Sequence, residues 1–245
     1  MRYLILSDIH GNKEGLEAVL NHAEGDYDEI CCLGDIVGYG ADPNAVTDWV
    51  RENVSHVIRG NHDKACCGLE DASTFNVVAR LAVQWTQEIL TPENREYLTS
   101  LPRGPLVLDS FVMVHGSIVD EDEYVVDPYD AMMQYTYIEG RLVFFGHTHL
   151  QGGFILWDED GHVAHQTVRP ESGDVQTSAG RGYLINPGSV GQPRDLNWKV
   201  TYAIFDSEKQ VVQYRRCPYA IETTQEKIRA AGLPGSLASR LSDGR

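Results

Sequence analysis

Five short segments of this chain share one pattern: a run of apolar residues ends, and the next few positions hold Asp, Asn or His. Leu4-Ile5-Leu6 is followed by Asp8 and His10, and Ile30-Cys31-Cys32-Leu33 by Gly34-Asp35. Val57-Ile58 leads to Gly60-Asn61-His62-Asp63, Val112-Met113-Val114 to His115, and the apolar run 142–145 to Gly146-His147-Thr148-His149. Five of the nine histidines fall in these five places, which scattered core histidines would not do. Carboxylate, imidazole and carboxamide oxygen are ligands for divalent metal ions. In extended backbone, residues i and i+2 point the same way, so Asp8 and His10 can grip one ion and His147 and His149 project side by side. The two ions of a hydrolytic pair lie about 3.5–4 Å apart, within reach of neighbouring imidazoles. The glycine beside several of these residues lets backbone come close where a side chain would obstruct.

Such residues need strands to carry them. The runs 3–6, 29–33, 56–58, 111–114 and 142–145 read as buried strands, with further strands at 154–157, 163–166, 183–185, 201–205 and 210–214. Leu16, Val19 and Leu20 share one face of a helix starting near Asn12, and a second helix runs from Pro43 to about Asn53. Strands alternating with helices predict an α/β fold with a mainly parallel central portion, where ligands gather at the carboxyl ends of the strands. The segment 64–101 reads as two helices. Val77, Val78, Leu81, Ala82, Trp85 and Ile89 form the stripe of the first, and Thr91-Pro92 opens the second, which ends before Pro102. That pair is either structural or a lid over the site. The polar stretch 169–182 reads as a mobile loop. No repeat or linker divides the chain, so a single domain over 1–245 is expected.

The bulk properties narrow the partners. A net charge of −16 repels polyanions, which argues against long DNA or RNA. No stretch is long and apolar enough for a membrane span, and no secretory leader is visible, so a cytoplasmic protein is expected. Five cysteines, two pairs of them adjacent, do not form a disulfide framework and read as buried thiols. His22, His56, His162 and His165 lie away from the five segments and read as surface or packing residues. The acidic run 120–123 reads as a solvated loop rather than a cation site.

Taken in order, Asp8-Ile9-His10, Gly34-Asp35, Gly60-Asn61-His62-Asp63, His115 and Gly146-His147-Thr148-His149 resemble the full motif set of the calcineurin-like metallophosphoesterases. The run 34–40 and Asn186-Pro187-Gly188-Ser189-Val190-Gly191 narrow the likeness to its prokaryotic branch of YfcE-like and diadenosine-tetraphosphatase-like phosphodiesterases. The likeness fades after about Cys217. It implies a four-layer α-β-β-α sandwich of two mixed sheets flanked by helices. It assigns Asp8, His10 and His149 to a first metal, Asn61, His115 and His147 to a second, and Asp35 as a bridge. One amide oxygen among imidazoles and carboxylates, with no thiolate, suits Mn²⁺, Fe, Zn²⁺, Co²⁺ or Ni²⁺, and the amide leans toward Mn²⁺. The implied reaction is in-line attack on phosphorus by a metal-bridging hydroxide. His62, beside a ligand but not one itself, is then the general acid for the leaving group, with a purely hydrogen-bonding role as the alternative. Asp63 is expected to support the ligands from outside.

Arg194 is a candidate for holding a phosphate and Tyr39 for stacking on a base. One departure from the family bears on substrate. The protein serine/threonine phosphatases continue the second motif with an Asp and an Arg, where this chain has Gly38 and Tyr39. Phosphoprotein phosphatase is therefore a poor reading. A small phosphodiester or phosphoanhydride of nucleotide type is expected, with a phosphomonoesterase, or an idle interaction scaffold of the same fold, as the alternatives.

Overall fold

The computed structural model describes residues 1–170 and 173–245. Its strands are β1 (Arg2–Leu6), β2 (Glu29–Cys32), β3 (His56–Val57), β4 (Leu106–Val107), β5 (Val112–Met113) and β6 (Leu142–Phe144), then β7 (Gly152–Glu159), β8 (His162–Val168), β9 (Val175–Gln176), β10 (Gly182–Asn186), β11 (Val200–Asp206) and β12 (Val211–Cys217). They form two six-stranded mixed sheets, ordered β3-β2-β1-β11-β12-β9 and β4-β5-β6-β10-β7-β8. Within the first, β1, β2 and β3 are parallel; within the second, β5, β6 and β10 are parallel.

Side-chain alternation explains the layering. Ile5, Cys31, Leu33, Phe111, Met113, Phe144 and Phe205 project into the space between the sheets, where Phe111 meets Phe144 and Phe205 edge-on at 5.3 and 5.6 Å. Leu4, Leu6, Cys32 and Ile204 face the opposite way, onto a layer of helices. Val112, Val114, Val143 and Phe145 do the same on the outside of the second sheet. Strands covered on both faces have no polar side, which is why they read as continuous apolar runs. All five cysteines are free and buried, and adjacent Cys31 and Cys32 point into different cores.

The helices over the first sheet are α1 (Lys13–His22), α2 (Pro43–Asn53), α3 (Asn61–Cys67), α4 (Val77–Ile89) and α5 (Pro92–Ser100). Asn12, Asn76 and Thr91 cap α1, α4 and α5 through their side-chain oxygens, and Pro43 and Pro92 occupy the first turns of α2 and α5. The stripe read along 77–89 is rotated from the real one. Val77, Leu81 and Ile89 are exposed, and Ala79, Ala82, Val83 and Thr86 face the core, because small side chains let α4 pack closely. The second sheet is backed by α6 (Pro128–Met133) and α7 (Tyr135–Ile138), through Ala131, Tyr135 and Ile138.

Two helices follow the last strand, α8 (Ile221–Ala230) and α9 (Gly235–Asp243). Ile228, Leu237 and Leu241 join the core of the first sheet, and Lys227 reaches both Glu14 on α1 and Asp42 before α2. The stretch 169–182 is not all loop, since β9 lies inside it and pairs with β12; Glu171 and Ser172 lie outside the described residues. Among the described residues, no helix is long and apolar enough to cross a membrane.

Candidate metal centre

The five motif segments follow the carboxyl ends of β1, β2, β3, β5 and β6, so both sheets deliver their polar residues to one edge. Two buried clusters result: Asp8, His10, Asp35 and His149, and Asp35, His115 and His147, with the ligand atoms of each within 4.8 Å of one another. Asp35 belongs to both. Asn61 joins the second, its Oδ1 lying 3.2 Å from His115 Nε2.

The backbone reaches this arrangement by a different route from the extended one expected. Asp8, His10, Asp35, His147 and His149 all have positive φ, between 49° and 66°. Each such residue costs of order 1–3 kcal/mol, and strain concentrated on one set of side chains marks a functional site. The i and i+2 pairs converge because left-handed residues turn the chain sharply after each strand, not because the strand continues. Gly60 allows close approach here, since a Cβ on it would overlap the Asp35 carboxylate.

The hydrogen bonds show which atoms are left for a ligand. His10, His115 and His149 each use Nδ1 toward a backbone carbonyl, of Val37 at 3.0 Å, Leu33 at 2.8 Å and Gln192 at 2.6 Å. Those bonds make each Nδ1 a donor, so on a neutral ring the inward Nε2 is a bare lone pair. His147 is the reverse: its Nε2 reaches the Asp122 carbonyl at 3.1 Å, leaving Nδ1 inward. His10 Nε2 and His149 Nε2 then face each other at 3.1 Å, two acceptors with nothing between to share. His115 Nε2 faces Asp35 Oδ2 at 3.4 Å, where a proton or a cation must lie between them. Acceptors crowded around buried carboxylates repel one another unless a cation lies among them, so the donor set fits divalent metal ions.

The electrostatics agree. Burial pushes His10 and His149 below the ordinary imidazole range and His147 down to about 3, which keeps them neutral and able to ligate. His115 is the exception. Burial opposes its charge, but Asp35 and Asp8 outweigh that and raise it to about 10. A proton there occupies the place a metal ion would take. Burial also opposes ionisation of Asp8 and Asp35, yet the surrounding histidines hold both carboxyls below their usual range.

His62 sits beside the clusters in the first turn of α3, its N–H donating to Asp35 Oδ1 at 2.8 Å. Its ring packs edge-on to His10 at 4.9 Å and stacks on Phe75 at 4.9 Å. Its Nδ1 is buried and has no hydrogen-bond partner among the described residues. A Cβ at Gly38 would lie 2.5 Å from that nitrogen, so the place of the phosphatases' aspartate is closed to a side chain. Burial, with a contribution from Arg194, lowers His62 to about 4. Asp63 is not among the clustered donors. Its carboxylate accepts the N–H groups of Gly60 and Val37 at 3.0 and 3.1 Å, joining the second and third motif loops. Tyr39, itself buried, lies against His10 at 4.7 Å and His62 at 4.4 Å, with the Arg194 guanidinium 5.9 Å from its ring.

Residues 1–210 match the calcineurin-like phosphoesterase superfamily domain. The chain belongs to that superfamily. An uncharacterized protein of Methanocaldococcus jannaschii is 36% identical to this calcineurin-like phosphoesterase over 250 residues, covering 98% of this chain and 97% of the other. A metallophosphoesterase from Sphaerobacter thermophilus superposes with a TM-score of 0.85 at 41% identity, covering 100% of this chain and 99% of that one. A hypothetical protein from Pyrococcus horikoshii shares the fold, with a TM-score of 0.75 at 22% identity over 100% of this chain and 98% of that one.

Several parts of this phosphoesterase site had no role assigned to them from the sequence. Asn186 and Ser189 fasten motif loops together. Asn186 Nδ2 donates to the Gly146 carbonyl at 2.9 Å and Ser189 Oγ to the Asp8 carbonyl at 2.8 Å. The acidic run 120–123 is not simply a solvated loop. Glu121 is buried, bonded to Arg59 at 2.8 Å and to Lys64 at 3.2 Å, and Asp122 bonds Lys64 and offers its carbonyl to His147. Its cation site is filled by the chain's own side chains. Of the other histidines, His22 bonds the Tyr202 hydroxyl, His56 pairs with Glu29, and His162 and His165 lie exposed on β8.

A cavity of about 330 Å³ opens beside the clusters, lined by Asn61, His62, Phe75, Asn76, Tyr124 and His147 among others. Tyr124 stacks on His147 at 3.8 Å, and Glu70, Asp71 and Asp122 lie at the rim, Glu70 and Asp122 both paired with Lys64. A cavity of about 530 Å³ at the opposite ends of the strands contains none of the motif residues.

Proposed function

We propose that this phosphoesterase hydrolyses a phosphodiester or phosphoanhydride of a small nucleotide-like substrate, using two divalent metal ions with Mn²⁺ the first choice. The observation that carries the reading is the pair of buried donor clusters that share Asp35 at the mouth of a cavity. Asp8, His10 and His149 would hold one ion, Asn61, His115 and His147 the other, and Asp35 both. When bound, such ions supply a water acidified enough to attack near neutral pH and positive charge against the phosphoryl oxygens.

The chain's own groups do the rest. The cavity takes the organic part of the substrate, with Phe75 and Tyr124 as apolar surfaces for a ring. Arg194, tied to His149 by its backbone N–H at 3.2 Å, presents a planar cation to a phosphate. His62 protonates the leaving oxygen. Its resting imidazole is neutral, so it takes up a proton from solvent when the negative charge of the arriving substrate raises its pKa, and that proton then goes to the leaving oxygen. Asp63 holds the His62 loop against the second motif. Gly38 and Tyr39 leave no aspartate to orient His62 and no arginine from the second motif, which disfavours a phosphoprotein substrate. Of the segment 64–101, only the stretch from Glu70 to Ala79 borders the cavity. α5 packs on α2 and α3 instead, so any lid is that stretch and the rest is structural. The chain works as one domain in the cytoplasm, with no long nucleic acid and no membrane as partner.

The test compares His62→Ala with wild type on p-nitrophenyl and alkyl phosphodiesters, with metal content measured in both. The expected result is unchanged metal content and a loss of roughly a hundred- to ten-thousandfold on the alkyl ester, smaller on the p-nitrophenyl ester. Equal losses on both esters would remove the acid role. Activity confined to monoesters would replace the diesterase by a phosphomonoesterase.

A further inference from the structure

Lys64 is buried in α3, the helix that Asn61 opens, and its ammonium meets three carboxylates. Its Nζ lies 2.9 Å from Glu70, 3.2 Å from Glu121 and 2.6 Å from Asp122. Three N–H groups face three acceptors, so none is left over for a substrate. Burial opposes the charge, but the bonds to Asp122 and Glu70 hold the ammonium above its ordinary value. These bonds run to two parts of the cavity lining. Glu70 opens the stretch that sets Phe75 against His62, and Asp122 shortly precedes Tyr124, whose ring lies on His147.

The backbone N–H groups of Asp120, Asp122 and Glu123 bond within their own loop, to Ser117 and Asp120. The loop lies on the backbone next to His115, since a Cβ on Gly116 would come within 2.6 to 2.9 Å of the Glu123, Glu121 and Asp120 carbonyl oxygens. Side chains make its bonds to the neighbourhood of α3, Glu121 to Arg59 and Lys64, and Asp122 to Lys64. From this loop comes the bond that decides how His147 presents itself. Its Nε2 donates to the Asp122 carbonyl at 3.1 Å, so Nδ1 faces inward. His10, His115 and His149 take their outer bonds from the carbonyls of Val37, Leu33 and Gln192 and present Nε2 instead. Of the four imidazoles, His147 alone depends on a carbonyl in the loop that Lys64 holds.

We propose that Lys64 is a positioning residue for the second metal site. By holding Asp122 to α3 it fixes the carbonyl that selects the His147 tautomer, and with it the inward Nδ1 that takes the ion shared with Asn61 and His115. The inference rests on the two-metal reading and assigns Lys64 to one of its sites. An outer hydrogen bond sets both the tautomer and the direction of a ligand imidazole, so a loosened Asp122 carbonyl frees the His147 ring to turn. The effect has a sign of its own. By charge alone, removing a cation from beside Glu70, Glu121 and Asp122 would draw a divalent ion in more strongly. Loss of the His147 orientation weakens it.

The experiment titrates Mn²⁺ into wild type and Lys64→Met by calorimetry. It also follows the His147 ring in both metal-free chains by nitrogen NMR of isotope-labelled histidines, taking as the His147 signal the one absent from His147→Gln. In wild type Nε2 should carry the proton and Nδ1 none, and in Lys64→Met the two nitrogen signals should draw together as the tautomers mix. One ion should bind Lys64→Met as it binds wild type, and the other roughly ten- to a hundredfold more weakly, the usual cost of losing such an outer partner. An unchanged His147 signal, two ions weakened alike, or a second ion bound as tightly as before or more tightly overturns the proposal. If Lys64→Met does not fold, Asp122→Ala cuts the same link at its partly exposed end and decides by the same two readouts. A wild type that binds no Mn²⁺ removes the metal reading alone, and the His147 signal then tests the positioning by itself.

Discussion

The inward nitrogens of His10, His115 and His149 are fixed by bonds on their far sides, so removing one carboxylate should change what they hold rather than where they point. Asp35 serves both clusters and Asp8 only one. Asp35→Asn is therefore expected to lose more metal and more activity than Asp8→Asn. Elemental analysis and turnover on one diester measure both, and an Asp35→Asn protein with two ions and near-normal turnover would refute the bridge. Residue types and order in the sequence were enough to collect all seven candidate ligands. Their conformation was not legible, because a positive φ at Asp8 or His149 reflects how a loop closes on distant partners such as Ser189 and Gln192. Nor was the burial of Glu121 visible, since its partners Arg59 and Lys64 lie some sixty positions away in the chain.

At the scale of elements, the loop from Glu121 to Tyr124 links the second sheet's ligand His147 to α3 through Lys64, and Glu121 is its anchor. Glu121→Gln leaves Arg59 and Lys64 short of a buried partner. It should destabilise the fold by about 2–3 kcal/mol, below the full buried-pair figure because Arg59 is partly exposed. Burial would raise the Glu121 carboxyl, but Arg59 and Lys64 hold it below its ordinary value. A depressed folded value means that its stabilisation is present above the unfolded pKa and is lost as pH falls through the folded one. Chemical denaturation of wild type and Glu121→Gln should therefore differ at pH 7 and converge in acid, and a constant gap would contradict the ion cluster. Phe75→Ala removes a wall of the cavity and should raise KM several-fold more than it lowers kcat on a substrate with an aromatic leaving group. An unchanged KM would take Phe75 out of the substrate site. The inner strands β1, β2, β5, β6, β10 and β11 were legible because their apolar runs are buried, whereas β4 and β9, two residues each, were not. α3 was hidden by its motif residues, and α8 and α9 by short amphipathic patterns, α8 packing against α1 and α9 against α8 rather than onto a strand.

For the whole molecule, both sheets deliver their buried carboxylates and imidazoles to one edge, so the donor set is assembled by the fold itself. Metal ions that bind only the folded state should stabilise it by about 2.7 kcal/mol at a hundred times their Kd. Thermal unfolding should thus shift upward with Mn²⁺ and downward with chelator, and a midpoint insensitive to both would count against a preformed centre. The α/β class followed from the strand pattern, and the two-sheet sandwich from the family resemblance. What the pattern left open was which sheet each strand joins, because that depends on register across pairs such as β1 with β11, two hundred residues apart. The most direct test is the metal content of the dialysed, Mn²⁺-loaded chain, measured alongside diester hydrolysis. Two ions per chain are expected, with activity lost when either is removed and restored when both return. One ion or none, with hydrolysis undiminished, would contradict a centre built on the Asp35 bridge.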